Sequence, residues 1–221
     1  MLQHVWERTC QARYLTDVII ATDDERIRDA VQEFRGRVVM TRADHVSGTD
    51  RVAEVASASQ AQIIVNVQGD EPMIDPAAID AAILGLLDDD MGEVPMGTIK
   101  KRIERLADIQ DPNVVKVVTD HEGNALYFSR SAIPYMRESS EAPPEYFKHI
   151  GLYVYRRDFL LAYSDLPIGP LERTERLEQL RALENGFKIR VIETEYESLG
   201  VDTPEDWHRV SALYEKMVVT E

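Results

Sequence analysis

Two carboxylates far apart in the chain, Asp70 and Asp202, carry the strongest chemical suggestion in this sequence. Asp70 closes the run Val65-Asn66-Val67-Gln68-Gly69-Asp70-Glu71-Pro72, in which apolar residues give way to a glycine, a carboxylate and a proline. If the apolar residues form a strand of an open α/β sheet, Asp70 lies beyond its carboxyl end, where such folds bind ligands. A carboxylate there suits Mg2+, which takes one or two carboxylates together with phosphate oxygens. Taken as an isolated Gly-Asp pair, shaping a turn is the simpler role. Asp202 stands in Leu199-Gly200-Val201-Asp202-Thr203-Pro204-Glu205-Asp206, just ahead of a helix start that Thr203, Pro204 and Glu205 explain without it. Two acidic residues at turns that one fold brings together are able to share a metal ion.

A third stretch, Met40-Thr41-Arg42-Ala43-Asp44-His45-Val46-Ser47-Gly48-Thr49-Asp50-Arg51, also sits at a strand end and leads into a helix. Ser47, Gly48 and Thr49 offer hydroxyl and backbone groups for reading the edge of a base, and Arg42 offers positive charge. A capped helix with surface charges accounts for the same residues equally well. His45 is a poor candidate metal ligand, because no second His or Cys lies at ligand spacing.

The elements that must position these residues alternate. Apolar runs at 17–22, 38–40 and 63–67 read as strands, and helical patterns over 25–34, 48–59 and 75–87 separate them, the first capped from Thr22-Asp23-Asp24 and the third opened by Asp75-Pro76. Strands that are apolar on both faces and alternate with helices imply a mostly parallel, twisted sheet flanked by helices. The rhythm changes between about 94 and 155. There the stretches 94–100, 114–119, 125–128 and 150–155 are all strand-like, with a turn at Asp120-His121-Glu122-Gly123. Residues 169–184 read as one helix, 189–192 as a late strand and 203–217 as a closing helix. The first eight residues, with Leu2, Val5 and Trp6 between charges, have helical spacing. One domain over residues 1–221 is the expectation.

A net charge of −15 repels nucleic acid and anionic lipid, and no Lys/Arg cluster reverses it locally. The same field opposes a nucleotide substrate, so such a site needs local cations or a divalent metal. Cys10 is the single cysteine, so no intramolecular disulfide forms, and no apolar run is long enough to span a bilayer. A cytoplasmic setting is expected.

The runs 40–45 and 47–49, Val65 to Pro72, Tyr127-Phe128-Ser129-Arg130, Leu177-Glu178-Gln179-Leu180-Arg181 and Gly200 to Asp206 stand here in the order found in 3-deoxy-manno-octulosonate (Kdo) cytidylyltransferases, and the chain resembles that family along nearly its whole length. The resemblance implies a Rossmann-like nucleotidyltransferase fold whose added strand and hairpin region at about 94–155 serves dimerisation. It implies transfer of CMP from CTP to Kdo with release of pyrophosphate, for lipopolysaccharide biosynthesis. Asp70 and Asp202 are then the catalytic carboxylates that hold Mg2+. Arg42, Ser47, Gly48 and Thr49 fall in the cytidine segment, and Gln68 faces the sugar. His149 and Tyr153 match a sugar-pocket strand, and Glu175 and Gln179, one helical turn apart on one face, match its polar wall. For these last four the alternatives stay open: a core histidine, a packing tyrosine and a solvated helix face. A homodimer is also implied.

Members of that family open with a strand and a phosphate-binding loop carrying Arg and Lys, and Met1-Leu2-Gln3-His4 corresponds to the residues just after that lysine. The expectation is that the chain begins at an internal methionine and turns over poorly without the loop. Two other functions compete: a cytidylyltransferase for sialic acid or an amino analogue of Kdo, and a non-catalytic dimer that keeps the scaffold.

Overall fold

The computed structural model describes residues 1–89, 92–137, 144–201 and 203–218. In chain order these form α1 (Leu2–Thr9), β1 (Ile19–Thr22), α2 (Glu25–Glu33), β2 (Arg37–Met40), α3 (Gly48–Ser57), β3 (Ile63–Asn66), α4 (Pro76–Leu87), β4 (Met96–Arg102), α5 (Leu106–Gln110), β5 (Lys116–Thr119), β6 (Ala125–Ser129), β7 (Phe147–Arg156), α6 (Arg157–Tyr163), α7 (Pro170–Glu175), α8 (Leu180–Glu184), β8 (Ile189–Glu193) and α9 (Pro204–Val218). By their contacts they divide into two compact units, one of residues 1–60, 66–80 and 196–221, the other of residues 61–65 and 81–195.

In the first unit β1 and β2 pair in parallel, from Ile19 beside Arg37 to Thr22 beside Met40. The helix starts are where the cap residues put them. Asp24 accepts from the Arg26 amide at 2.8 Å to open α2, and Ser47 and Asp50 form a reciprocal capping box at the start of α3. Arg51 ties the strand ends to α3, reaching Asp23 at 3.1 Å and the Thr41 hydroxyl at 2.5 Å.

The second unit is built on a mixed sheet in the order β6-β5-β7-β4-β8, with β3 also paired to β7. β4 and β8 are parallel. The strands of the region that breaks the alternating rhythm enter antiparallel, β7 against β4 and the β5–β6 hairpin beside it. The hairpin turns where expected: Asp120 accepts from the amides of Glu122 at 2.9 Å and Asn124 at 2.8 Å, and Gly123 takes φ +81°. Met96 to Ile99 are buried without alternation, which marks β4 as an interior strand covered on both faces. The core of this unit gathers Ile99, Phe128, Leu152, Val154, Leu160, Leu180 and Ile189, none more than 2% exposed. Gly85 lets α4 lie directly on β8, since a Cβ there would come within 2.1 Å of Ile192.

One local reading is corrected, and two short helices had no reading from the sequence. The single helix over 169–184 is two, because Arg176 adopts a left-handed conformation (φ 55°, ψ 45°) and its amide closes α7 on the Glu172 carbonyl at 2.9 Å. A non-glycine residue in that region costs about 1 kcal/mol or more, so the packing of α7 on α8 must repay it. α5 is a five-residue turn too short to show a period. α6 follows β7 without a residue between them, and no Gly or Pro punctuates the change.

Candidate active site

The sugar-pocket residues come together in the second unit. His149 lies on β7 with its ring edge-on to Phe128 at 4.9 Å and tilted against Tyr153 at 5.5 Å. Its Nε2 is 2.9 Å from the Thr98 hydroxyl, and its Nδ1 is 3.5 Å from the side-chain amide nitrogen of Gln179. Gln179, 3% exposed, accepts from the Tyr153 hydroxyl at 3.2 Å. His149 keeps partial exposure while its ring packs among these four side chains, and burial lowers its pKa to about 3. It is therefore neutral at physiological pH. Burial, and then the nearby charge of Glu178, push the Tyr153 hydroxyl well above its ordinary range, so it stays a protonated donor.

Glu175 belongs to the same unit but not to a helix face shared with Gln179, because the break at Arg176 separates them. Its carboxylate is held by the end of β6, accepting from the Ser129 hydroxyl at 2.6 Å and the Arg130 amide at 2.9 Å, while its carbonyl accepts from Arg130 Nε at 2.8 Å. Neither residue is a solvated helix face.

In the first unit, the segment after β3 makes a tight turn with Glu71 N bonded to Gln68 O at 3.3 Å and Ile74 N to Glu71 O at 3.0 Å. Gln68 is exposed and Asp70 half-buried. Glu71 fastens this turn to a distant stretch of chain, accepting from the Tyr196 hydroxyl at 2.8 Å and from the Ser198 hydroxyl. Burial first, and then the Glu71 carboxylate, raise the Tyr196 pKa far above its usual value. Alongside, the Val201 amide donates to the Asp70 carbonyl at 2.9 Å. The two acidic motifs are thus neighbours in space up to Val201, while Asp202 itself lies outside the described residues. Among the described residues no three metal-ligating side chains gather. The donor chemistry at Asp70 fits an ion that shares its coordination with phosphate oxygens.

The segment before α3 is also organised. Arg42 has a 68% exposed side chain 3.4 Å from Asp44, and its amide donates to Glu54 at 3.2 Å. His45 Nε2 meets the same Glu54, and that contact first, then the Arg42 amide, holds the Glu54 carboxyl below its usual range. The Ser47 hydroxyl is engaged in the capping box and Thr49 is 3% exposed, whereas Gly48 has open space where a Cβ would sit.

Sequence reasoning missed several residues that hold this chemistry in place. Thr98 is fully buried behind His149. Lys116, also fully buried, donates to the carbonyls of Asp111 at 2.8 Å, Val114 at 2.6 Å and Arg130 at 2.7 Å, and burial lowers its pKa. Ser129 and Arg130 stand in a motif that was legible, but only the fold shows that they grip Glu175. A lone Thr or Lys in an apolar strand gives no signal of such a role.

Residues 1–189 match the cytidylyltransferase family. The chain is 68% identical over 219 residues to the 3-deoxy-manno-octulosonate cytidylyltransferase of Solibacter usitatus, covering 99% of this chain and 86% of that protein. It is 58% identical to the enzyme of the same name from Geobacter metallireducens, covering 95% of this chain and 85% of that one. Among solved structures it resembles CMP:2-keto-3-deoxy-manno-octonic acid synthetase complexed with CTP, at 45% identity and a TM-score of 0.92 over 98% of this chain and 88% of that one. A 4-diphosphocytidyl-2C-methyl-D-erythritol synthase from Anaerococcus prevotii, 12% identical at a TM-score of 0.62 over 97% of this chain and 88% of that one, shares the fold. The architecture is the Rossmann-like nucleotidyltransferase fold, and the chain belongs to the cytidylyltransferase family, in its group of 3-deoxy-manno-octulosonate cytidylyltransferases.

Proposed function

We propose that this chain transfers CMP from CTP to Kdo, giving CMP-Kdo and pyrophosphate for lipopolysaccharide biosynthesis, and that residues 1–221 all belong to one nucleotidyltransferase domain. The observation that carries the reading is the likeness, at a TM-score of 0.92 and 45% identity, to a synthetase complexed with CTP. The neutral, hydrogen-bonding set of His149, Tyr153 and Gln179 supports it, because a polyhydroxylated sugar is recognised by donors and acceptors fixed in place.

In this reading a Kdo hydroxyl attacks the α-phosphorus of CTP, a new phosphorus–oxygen bond forms as the hydroxyl's proton passes to solvent, and pyrophosphate leaves with the electrons of the bond that breaks. Asp70 and Asp202 would hold Mg2+, whose chemistry when bound is to neutralise phosphate charge and lower the pKa of a nearby hydroxyl. Arg42 and the Ser47-Gly48-Thr49 segment receive the cytidine. Since the Ser47 hydroxyl is engaged in the capping box and Thr49 is buried, backbone groups around Gly48 do the reading. Gln68, exposed beside Asp70, contacts the sugar. His149, Tyr153, Glu175 and Gln179 bind and orient Kdo, so catalysis by these side chains is positioning. The reading includes a homodimer and a cytoplasmic setting. No helix among the described residues is long and apolar enough to cross a membrane.

Pyrophosphate release measured with CTP, Kdo and Mg2+ tests this. Release should require all three and fall roughly 100-fold or more in Asp70→Asn. Faster turnover with sialic acid than with Kdo would move the substrate to a related acid sugar, and no turnover with any acid sugar would leave a binding protein. Light scattering at micromolar concentration should return the mass of two 25.2 kDa chains.

A further inference from the structure

Thr98 sits where the pairing of β4 with β7 slips: Thr98 lies opposite Tyr153, but Ile99 lies opposite Ile150, so Gly151 and Leu152 bulge out of register. Bulges of this kind re-aim side chains next to functional sites. The Thr98 hydroxyl fills the bulge, 2.8 Å from the Leu152 carbonyl, 3.2 Å from the Ile150 carbonyl and 2.9 Å from His149 Nε2.

The protons on these atoms can be counted. The hydroxyl has one proton, and carbonyl oxygens only accept. If that proton pointed at Nε2, two carbonyls would face the Thr98 oxygen lone pair to lone pair at 2.8 and 3.2 Å, a repulsive arrangement in a fully buried position. The proton goes to the Leu152 carbonyl, the nearer of the two. Nε2 must then carry its own hydrogen and donate it to Thr98. A neutral imidazole has a single N–H, so Nδ1 is left bare. On that side the Gln179 oxygen is occupied by the Tyr153 hydroxyl, which turns the amide nitrogen toward Nδ1 at a long 3.5 Å. Nδ1 is therefore an acceptor with only a weak donor of its own.

We infer that Thr98 is a positioning residue for sugar selection, locking His149 as the Nε2-protonated tautomer so that bare Nδ1 accepts a hydrogen bond from a hydroxyl of the sugar acid. The inference rests on the substrate reading above for its ligand, but not for its tautomer. A group that offers an acceptor in place of that hydroxyl meets a lone pair and is rejected, so the tautomer acts as a filter on the sugar.

The test is long-range 1H–15N correlation on protein labelled at histidine, with His149→Gln identifying the signal. The expected pattern at neutral pH is a protonated Nε2 and a bare Nδ1, with the Nδ1 resonance moving toward a hydrogen-bonded position as Kdo is added while Nε2 stays still. Thr98→Val should mix the tautomers and raise KM for Kdo about tenfold, the worth of one hydrogen bond, with KM for CTP unchanged. Thr98→Ser should restore both, and with the wild-type spectrum it decides the matter even if Thr98→Val does not fold. A protonated Nδ1 in the wild type overturns the locking by Thr98 and leaves the substrate reading standing. The assigned tautomer with no response to saturating Kdo overturns the acceptor role, and with it the placing of Kdo at His149.

Discussion

Glu172 and Arg181 face each other across the break between α7 and α8 as a two-point ion pair, with Arg181 Nε and Nη2 at 2.9 and 2.7 Å from the two carboxylate oxygens. Both residues are buried, and the guanidinium also lies over the Tyr163 ring at 5.1 Å. The hydrogen bonds to Glu172 raise the Arg181 pKa above even its high ordinary value. Nearby, the Glu184 carboxylate accepts from the amides of Leu171 and Glu172 at 2.9 and 3.0 Å, satisfying the open first turn of α7. These contacts fold α8 back on α7 and so fix where Gln179 stands relative to Glu175.

Replacing Arg181 with Met leaves Glu172 charged and alone in a buried site. The expected loss is about 3–5 kcal/mol in urea unfolding, with KM for Kdo raised more than KM for CTP. The double variant Glu172→Gln with Arg181→Met should recover part of the stability, because no buried charge remains.

The neutral state of His149 gives stability a pH dependence. Its pKa is about 3 in the folded protein against an ordinary value of 6.5, so below about 6.5 the unfolded chain binds a proton that the folded chain refuses. This contribution is fully present above that value and is lost as pH falls from about 6.5 toward 3, by at most about 1.4 kcal/mol per pH unit. Between pH 7 and pH 5, wild type should therefore lose more unfolding free energy than His149→Gln. Equal losses would mean that the ring takes up a proton freely in the folded state.

Glu71→Ala removes both bonds that fasten the Asp70 turn to Tyr196 and Ser198. Hydrogen bonds to a charged group are worth roughly 1.5–3 kcal/mol each, so the melting temperature should fall. The Mg2+ concentration needed for half-maximal pyrophosphate release should rise, while KM for Kdo stays near wild type. An unchanged Mg2+ requirement would limit Glu71 to stabilising the turn.

Lys116→Met keeps the length of the side chain but strips its donors from three carbonyls. The Asp111 carbonyl keeps the Val114 amide at 3.2 Å, while those of Val114 and Arg130 lose a charged donor, at about 1–3 kcal/mol each. Calorimetry should show a destabilisation of that order or larger, and the effect should reach Glu175, since Arg130 is held by both residues.

Where a residue acts on its immediate neighbours, the sequence was readable. Asp24, Ser47 with Asp50, and Pro204 mark helix starts by local hydrogen bonding or fixed φ, and the structure places α2, α3 and α9 there. The turn at Asp120 to Gly123 is legible for the same reason. The break at Arg176 is not, because its left-handed backbone is sustained by a pair nine residues apart in sequence that only the fold brings together. Thr98 is invisible by the same logic: its hydroxyl matters through carbonyls more than 50 residues further along the chain. Of the two carboxylates, the turn at Asp70 could be read from its strand and glycine, whereas its bond to Val201 could only be anticipated as something the fold permits.

The unit that holds Asp70 is stitched from three stretches of chain, and its closing stretch begins at Tyr196, 125 residues after Glu71. A ribosome releases residues in order. All of the second unit, residues 61–65 and 81–195, with Thr98 and Gln179 among them, has been made before Tyr196, Ser198 and Val201 exist. Thr98, His149, Tyr153 and Gln179 are therefore all made ahead of the residues that tie down the Asp70 turn, whose bonds must wait for a long loop to close. A ribosome stalled short of Tyr196 would carry a chain in which Thr98, His149, Tyr153 and Gln179 are all present while the turn bearing Asp70 lacks its bonds to Tyr196, Ser198 and Val201. In the life of this molecule, the last ties of the turn that carries Asp70 are among the latest contacts to become possible.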